Sequence, residues 1–482
     1  MNQLDVHFQQ AQDAFWILKS LDKNKLATFL KKMAEQIDQI RERLIPTASM
    51  ESHLPEGRIT GELGRTLGQI QLFAQLVEEG SWVEATIDHA DPDRVPAPKP
   101  DLRRMLKPLG TVVVFGASNF PLAFSTAGGD TVSALAAGCP VIYKAHPAHP
   151  ETSRMVAEAI KTAVRKSDLP KGTFQHVEGG IDIGQALVAH PLTKAVAFTG
   201  SFKGGKSLFD AAQSREVPIP VYAEMGSVNP IFALDHRLRK DIGGMAAAYA
   251  GSLSLGVGQF CTNPGLIFIP QTLAAEFGKE VAEKLKQVVS APMLHEGICK
   301  SYYESVDKLN QDPHLEWLLK ATPSEVLTGN VGLAKVMASD WLADDQLQEE
   351  VFGPFGLIVV YEDKTQLETI AHQLKGQLTC TVWGEEEELK THSKFLSLLE
   401  EKCGRLLFKG VPTGVEVGHA MQHGGPFPST TDSRSTSVGT YGIKRFARPL
   451  AYQDMPEDML PEALKKGNPL GIWRKVDGEM DK

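Results

Sequence analysis

An α/β protein of more than one domain is the class this sequence predicts, and two observations carry that reading. The chain has 482 residues, more than one compact core serves. From residue 110 onward, short apolar runs bounded by glycine or proline alternate with stretches of helical spacing. Such alternation makes βαβ units around a parallel sheet with both faces covered.

The elements follow in order. The first 80 or so residues read as helices. Leu26–Ile37 repeats apolar residues at helical spacing, and a second helix is predicted over Gly61–Glu79. Residues 83–107 are rich in proline and charge and read as a bridging spacer around Val95–Pro100. Gly110–Gly116 encloses a buried strand, and Ser125–Ala137 a helix of small residues. Pro140–Lys144 is a strand, Glu151–Val164 a helix, Phe174–Val177 a strand, Ile183–Ala189 a helix and Ala195–Phe198 a strand. A second α/β series runs from near Asp241 to about Ala420. The tail from Arg448 is polar, and Pro449–Gln453 reads as a pairing strand at a subunit interface. The expected division is 1–235 for N-terminal helices and a cofactor domain, 236–447 for a catalytic domain and 448–482 for an oligomerisation element.

Composition narrows the function. Hydrophobic residues make up 42% and the formal net charge is −9. That balance offers no electrostatic footprint for nucleic acid or an anionic membrane. No run approaches the ~18 apolar residues of a membrane span, and Met1–Phe8 lacks the basic start and apolar centre of a secretory signal. The five cysteines (Cys139, Cys261, Cys299, Cys380 and Cys403) are odd in number and scattered. They suit a reducing, cytoplasmic setting rather than a disulfide framework. No CxxC or HExxH spacing occurs, so no metal is expected.

Most free cysteines are small buried hydrophobes, and Cys139 in its apolar run fits that description. Cys261 differs, because Gly256, Gly258 and Gly265 surround it. Glycines admit tight turns and close backbone approach. A thiol there, with Glu224 upstream, suits nucleophilic attack followed by hydrolysis. Asn119 lies just past a strand end, where open α/β sheets bind ligands, and its amide can donate to an oxyanion. Gly200, Ser201 and Gly205 sit between a strand and a helix, a junction that presents free N–H groups to phosphate. The spacing is not the G-x-G-x-x-G fingerprint. Lys144 ends a strand at the same sheet edge, and Glu350 stands before the turn Val351–Pro354.

Taken together, Asn119-Phe-Pro, Lys144, Phe198-Thr-Gly-Ser, Glu224-Met-Gly, Gly258-Gln-Phe-Cys261 and Glu350-Val-Phe-Gly-Pro354 resemble, in order, the motifs of the aldehyde dehydrogenase superfamily. The likeness spans about residues 20–450. It implies the aldehyde dehydrogenase fold: a Rossmann-like cofactor domain, an α/β catalytic domain and a small oligomerisation element, assembled as a homo-dimer or tetramer. It also implies roles. Cys261 would attack an aldehyde, Asn119 would hold the oxyanion and Glu224 would activate water. Lys144 and Glu350 would hold cofactor hydroxyls, Gly200, Ser201 and Gly205 would lie by the pyrophosphate, and Phe352 would lie near the nicotinamide.

One departure concerns the cofactor. The family's Lys-Pro-x-Glu reads Lys144-Ala-His-Pro147 here, which removes a carboxylate that would repel a 2′-phosphate. The expectation is NADP, with NAD also accepted; His146, Arg154 and Lys161 are candidates for the phosphate. Leu54–Thr66 and His419–Arg434 resemble the bacterial 2,5-dioxopentanoate (α-ketoglutaric semialdehyde) dehydrogenases and a related fatty aldehyde branch. Arg58, Arg65 or Arg434 would pair with a substrate carboxylate, and His423 would lie near the substrate entrance. The rivals are a long-chain or general aldehyde dehydrogenase and a non-catalytic scaffold.

Overall fold

A computed structural model describes residues 3–323 and 327–482. Three large sheets organise it. In the first, five parallel strands lie in the order Phe174–Val177, Val141–Lys144, Val112–Phe115, Ala195–Thr199, Val221–Glu224. The chain therefore builds outward from Val112–Phe115 in one direction and then returns to build in the other. The switch point falls between Val112–Phe115 and Ala195–Thr199, where such sheets bind ligands beyond their carboxyl ends.

Every residue of Val112–Phe115 is buried, and the two-residue period of a strand explains how. Val112 and Val114 face one core, with Phe29, Leu63 and Ile160 from the helices. Val113 and Phe115 face another, with Phe8 and Ala11 from the first helix, Gln3–Leu18. Both faces are covered, so the strand tolerates no polar side chain.

The second sheet has seven strands, ordered Glu316–Leu319, Gly332–Met337, Phe355–Tyr361, Leu266–Pro270, Ile231–Ala233, Gln377–Trp383, Cys403–Leu407. All its neighbours are parallel except the first pair. Ile231–Ala233 already belongs to this sheet, so the change of sheet precedes residue 236.

The third sheet joins distant chain. Ala447–Gln453 forms one edge and pairs antiparallel with Leu102–Pro108, Leu450 opposite Met105. Thr86–Asp88, Arg474–Val476 and Glu479–Asp481 complete it. Residues 83–107 are thus more than a spacer: they supply Thr86–Asp88 and most of Leu102–Pro108. They pair with each other and with strands from the far end of the chain. Among the described residues, no helix is long and apolar enough to cross a membrane.

Candidate active site around Cys261

Cys261 follows helix Ile242–Ser254 through a turn in which Gly256, Val257 and Gly258 all have positive φ, at 57°, 57° and 66°. Gly258 has no alternative. A Cβ there would lie 2.3 Å from the carbonyl carbon of Gly353, so the Cys261 loop and the Glu350–Pro354 turn touch backbone to backbone. Val257 is a β-branched residue in the left-handed region, a strain of roughly 1–3 kcal/mol that persists only where neighbours over-determine it. Asn229 is among those that hold this loop. Its Nδ2 donates to the Cys261 carbonyl at 2.8 Å and to that of Asn263 at 3.0 Å. Its Oδ1 accepts from Ser227 and Thr379, each at 3.0 Å.

Glu224 ends its strand with a side chain only 3% exposed. The hydroxyl of Ser437 donates to its Oε2. Oε1 lies 2.8 Å from His423 Nε2, and the same Nε2 lies 3.4 Å from Cys261 Sγ. The Nε2–Sγ contact qualifies as a hydrogen bond, its donor set by the histidine tautomer, whereas Oε1 is close to the ring but receives no well-directed hydrogen bond from the protein. His423 and Ser437 reach the strand because the intervening chain runs beside it. Met225 N–H donates to Ser429 O at 2.8 Å, Thr431 N–H to Ala223 O at 3.2 Å, and Ser437 N–H closes the loop on His423 O at 2.8 Å.

The electrostatics follow from this packing. Loss of solvent, then Glu224 and Glu350 as neighbouring carboxyls, push the Cys261 thiol well above its ordinary value, while Arg65 opposes them. Burial would raise Glu224, but His423, Ser437 and Cys261 outweigh it and hold this carboxyl below its usual range. Glu350 lacks such partners. Desolvation pushes it up to about 7, against one bond from the Ser227 backbone.

Cys261 is the meeting point of two cavities. One, of about 1220 Å³ with its open mouth, is lined by Asn119, Phe198, Gly200, Ser201, Gly204, Glu224, Glu350 and Phe352. It sits at the switch point of the first sheet. The helix Phe202–Gln213 points its N-terminus there, capped by Ser201, whose side chain accepts from Gly204 N–H. A Cβ at Gly200 would strike Phe198 at 2.7 Å, and one at Gly226 would lie 2.3 Å from Glu350 Oε2. A helix terminus, bare backbone and a carboxyl at the far wall fit a dinucleotide. Asn119 Nδ2 spends one N–H on Gln259 O at 3.2 Å and keeps a second.

The other cavity, of about 1200 Å³, is lined by Arg58, Arg65 and Arg405, by Phe120, Phe124 and Phe260, and by Glu62 and Glu416. Arg58 stacks on Phe120 and Phe260 at 4.6 and 4.8 Å, and Arg65 on Phe124 at 5.2 Å. Arg58 Nη1, Arg65 Nη1 and Arg405 Nε are buried without hydrogen-bond partners in the protein. Glu62 is 3.6 Å from Arg58 Nη1, while its Oε1 accepts from the Leu122 and Ala123 N–H groups at 2.8 and 2.9 Å. It thereby fixes the loop that carries Asn119.

Two sequence expectations are corrected here. Arg434 is far from this cavity: its side chain is 90% exposed and bonds Asp432 at 3.1 Å. Its flanking residues enter the site, but its own side chain points to solvent. Gly205 does not wall the cleft. It lies inside the helix, where a Cβ would meet Met225 Sδ at 2.7 Å, so it serves helix packing and Gly204 lines the cavity instead. Lys144 ends its strand half-buried, at the same carboxyl edge of the sheet as the cleft. Of the phosphate candidates, Arg154 is held by Glu178 and Glu151, and Lys161 by Glu158. His146 lines the cleft, but desolvation, with His149, His295 and Lys144, drives it down to about 3, so it is neutral at pH 7.

Arg405, Ser437 and Asn229 belong to the site and carry no sequence signal. Each stands in ordinary local sequence and is placed by chain far from Cys261 or Glu224.

Comparison with known proteins agrees with the geometry. Residues 1–448 match the model of the aldehyde dehydrogenase family. The chain belongs to the aldehyde dehydrogenase family. As such it is an NAD(P)-dependent oxidoreductase acting on an aldehyde group. It is 46% identical over 475 residues to alpha-ketoglutaric semialdehyde dehydrogenase 2 of Azospirillum brasilense, covering 98% of this chain and 90% of that one. It is 43% identical over 481 residues to alpha-ketoglutaric semialdehyde dehydrogenase of Acinetobacter baylyi, covering 99% and 91%. Among solved structures, aldehyde dehydrogenase 21 from Physcomitrella patens, in complex with the reaction product succinate, superposes with a TM-score of 0.79 at 18% identity. The overlap covers 95% of this chain and 91% of that one. An NADP complex of glyceraldehyde-3-phosphate dehydrogenase from Methanocaldococcus jannaschii gives a TM-score of 0.78 at 20% identity, covering 93% of each chain. Both establish the shared fold.

Proposed function

We propose that this enzyme oxidises 2,5-dioxopentanoate to 2-oxoglutarate, with NADP as the acceptor and NAD also accepted. The observation that carries the substrate is the group of three arginines, Arg58, Arg65 and Arg405, that line the cavity sharing Cys261. A planar guanidinium fork matches a carboxylate, and two such forks match a 2-oxo acid. The names of the two relatives above point to the same substrate. Proline at position 147 in place of a carboxylate, together with NADP on related folds, supports the cofactor reading.

The chemistry follows from the named atoms. His423 Nε2, in contact with the thiol, takes its proton, and the Cys261 sulfur attacks the aldehyde carbon. The free N–H of Asn119 and the Cys261 backbone N–H receive the oxyanion. NAD(P), when bound, supplies the hydride acceptor. Glu224 is a carboxylate at neutral pH because its partners hold its proton affinity down, so it can draw a proton from the water that hydrolyses the thioester. Glu350 and Lys144 would hold the cofactor's ribose hydroxyls, Gly200 and Ser201 its pyrophosphate, and Phe352 would lie near its nicotinamide. We also assign the free edge of Ala447–Gln453 to pairing between subunits of a cytoplasmic homo-oligomer.

Initial rates with 2,5-dioxopentanoate, hexanal and a long-chain aldehyde, each with NADP and NAD, test the reading. A higher kcat/KM for the dioxo acid is expected. Preference for the long chain would sink the substrate assignment and leave the cysteine chemistry standing.

A further inference from the structure

Glu224, Cys261 and His423 present a carboxylate oxygen, a sulfur and an imidazole nitrogen that all lie within 4.8 Å of one another. Among the described residues, no other group of three such side chains comes as close. Tetrahedral zinc, with Zn–S of about 2.3 Å and Zn–N or Zn–O of about 2.0 Å, sets ligand atoms about 3.5 Å apart across the S–N edge and about 3.3 Å across the N–O edge. Here Sγ and Nε2 are 3.4 Å apart, and Nε2 and Oε1 are 2.8 Å apart. The first edge is already the right length; the other two are reached by side-chain rotation, the sulfur–oxygen edge from a separation within 4.8 Å. An independent observation points the same way. Glu224 is almost fully buried, Ser437 occupies its Oε2, and Oε1, 2.8 Å from His423 Nε2, has no well-directed donor.

We propose that Cys261, His423 and Glu224 form a binding site for a thiophilic divalent cation, Zn²⁺ foremost, whose occupancy shuts off catalysis reversibly. The donor set is one that zinc uses with three protein ligands, and the fourth position faces the cavities that meet at Cys261 and takes water. On binding, the Cys261 S–H bond breaks, its proton passes to solvent and an S–Zn bond forms. His423 Nε2 offers its lone pair, so the ring proton resides on Nδ1. Thiolate and carboxylate together neutralise the ion, which removes the cost of burying net charge. Nδ1 is buried with no partner, so the second support that strengthens most histidine ligands is missing, and the metal leaves readily to a chelator. The ligand set rests on geometry alone; only the loss of activity rests on the catalytic roles assigned above.

Cobalt(II) gives a readout independent of turnover. The full-length, reduced protein is titrated with Co²⁺ in the absence of substrate and cofactor, and thiolate-to-cobalt charge-transfer absorption is followed with Zn²⁺ as competitor. One ion per chain is expected. Cys261→Ala should abolish the band, and His423→Gln should weaken binding at least about tenfold, since even an outer partner of a ligand is worth that much. Cys403→Ser, on an edge strand of the second sheet, should leave the band unchanged. Native affinity in His423→Gln, or loss of the band in Cys403→Ser, would overturn the site. Native-like far-ultraviolet dichroism shows that each variant is folded. Inhibition of aldehyde oxidation by Zn²⁺, restored by EDTA, is measured separately. A cobalt band with full activity at saturating Zn²⁺ would refute the inhibitory consequence, and an enzyme inactive on every aldehyde would leave the cobalt result to decide the site.

Discussion

The two cavities that share Cys261 are built by opposite means. The cleft at the switch point is made of strand ends, glycines and a helix terminus, so its ligand is held largely by backbone. The second cavity is made of side chains: three arginines stacked on or beside aromatic rings, with Glu62 and Glu416 offsetting part of their charge. Backbone sites accept any ligand of the right shape, whereas charged side chains choose one. The difference teaches where this enzyme's generality lies and where its specificity lies. On the proposed reading, the cofactor side is the common frame and the arginine side decides the aldehyde.

The comparison breaks most completely at the residue both sides share. Cys261→Ala should lower aldehyde oxidation by roughly 10⁴-fold or more while cofactor binding, followed by fluorescence quenching, persists. Loss of cofactor binding as well would show that the two sides are not separable. Glu224→Gln should slow steady turnover by roughly 10²–10⁴-fold yet keep a pre-steady-state burst of reduced cofactor, because the base acts after hydride transfer. A missing burst would move Glu224 to an earlier step. Asn119→Ala should cost roughly 10²–10³-fold in kcat with little change in either KM, as expected of an oxyanion donor.

Smaller effects sharpen the contrast. Arg405→Met should lower kcat/KM for 2,5-dioxopentanoate by about 10–100-fold and leave hexanal unaffected, since a charged hydrogen bond is worth about 1.5–3 kcal/mol. Equal losses on both substrates would make Arg405 a structural support. On the cofactor side, the raised carboxyl of Glu350 has a cost with a definite sign. Its value moves from 4.5 to about 7 on folding, so the folded state keeps a proton that the unfolded chain releases. The neutral form is fully tolerated below pH 4.5, and stability is lost as pH rises toward 7. Without cofactor, Glu350→Gln should therefore be more stable than the parent at pH 8, by about 1–2 kcal/mol, and gain little near pH 4. Water entering along the cleft keeps the figure below that of a dry carboxyl. Thermal melts at the two pH values check it, and a gain independent of pH would point to packing instead.

Much of the first sheet was legible. Phe174–Val177 matches its predicted bounds, and Val112–Phe115, Val141–Lys144 and Ala195–Thr199 fall within a residue or two, because runs buried on both faces must be apolar throughout. Helix starts were less so. Glu56–Glu79 begins five residues before the glycine from which it was predicted, since its first turns carry the polar Arg58 and Glu62 inward to the cavity, against the usual apolar pattern. Of the third sheet only Ala447–Gln453 was legible, read as Pro449–Gln453; the rest lies in a proline- and charge-rich stretch and in the polar tail and is paired across the length of the chain.

By itself, the sequence determined the α/β class, the nucleophile loop with its glycines, the carboxyl at 224 and the family, since each rests on local backbone demands or on ordered motifs. Tertiary structure alone decided that His423 stands between Cys261 and Glu224, that Ser437 holds the carboxylate, that Arg405 joins Arg58 and Arg65, and that Arg434 does not. Those placements depend on loops brought together across more than a hundred residues, and a side chain's direction there is settled by packing. No pattern in the chain records it.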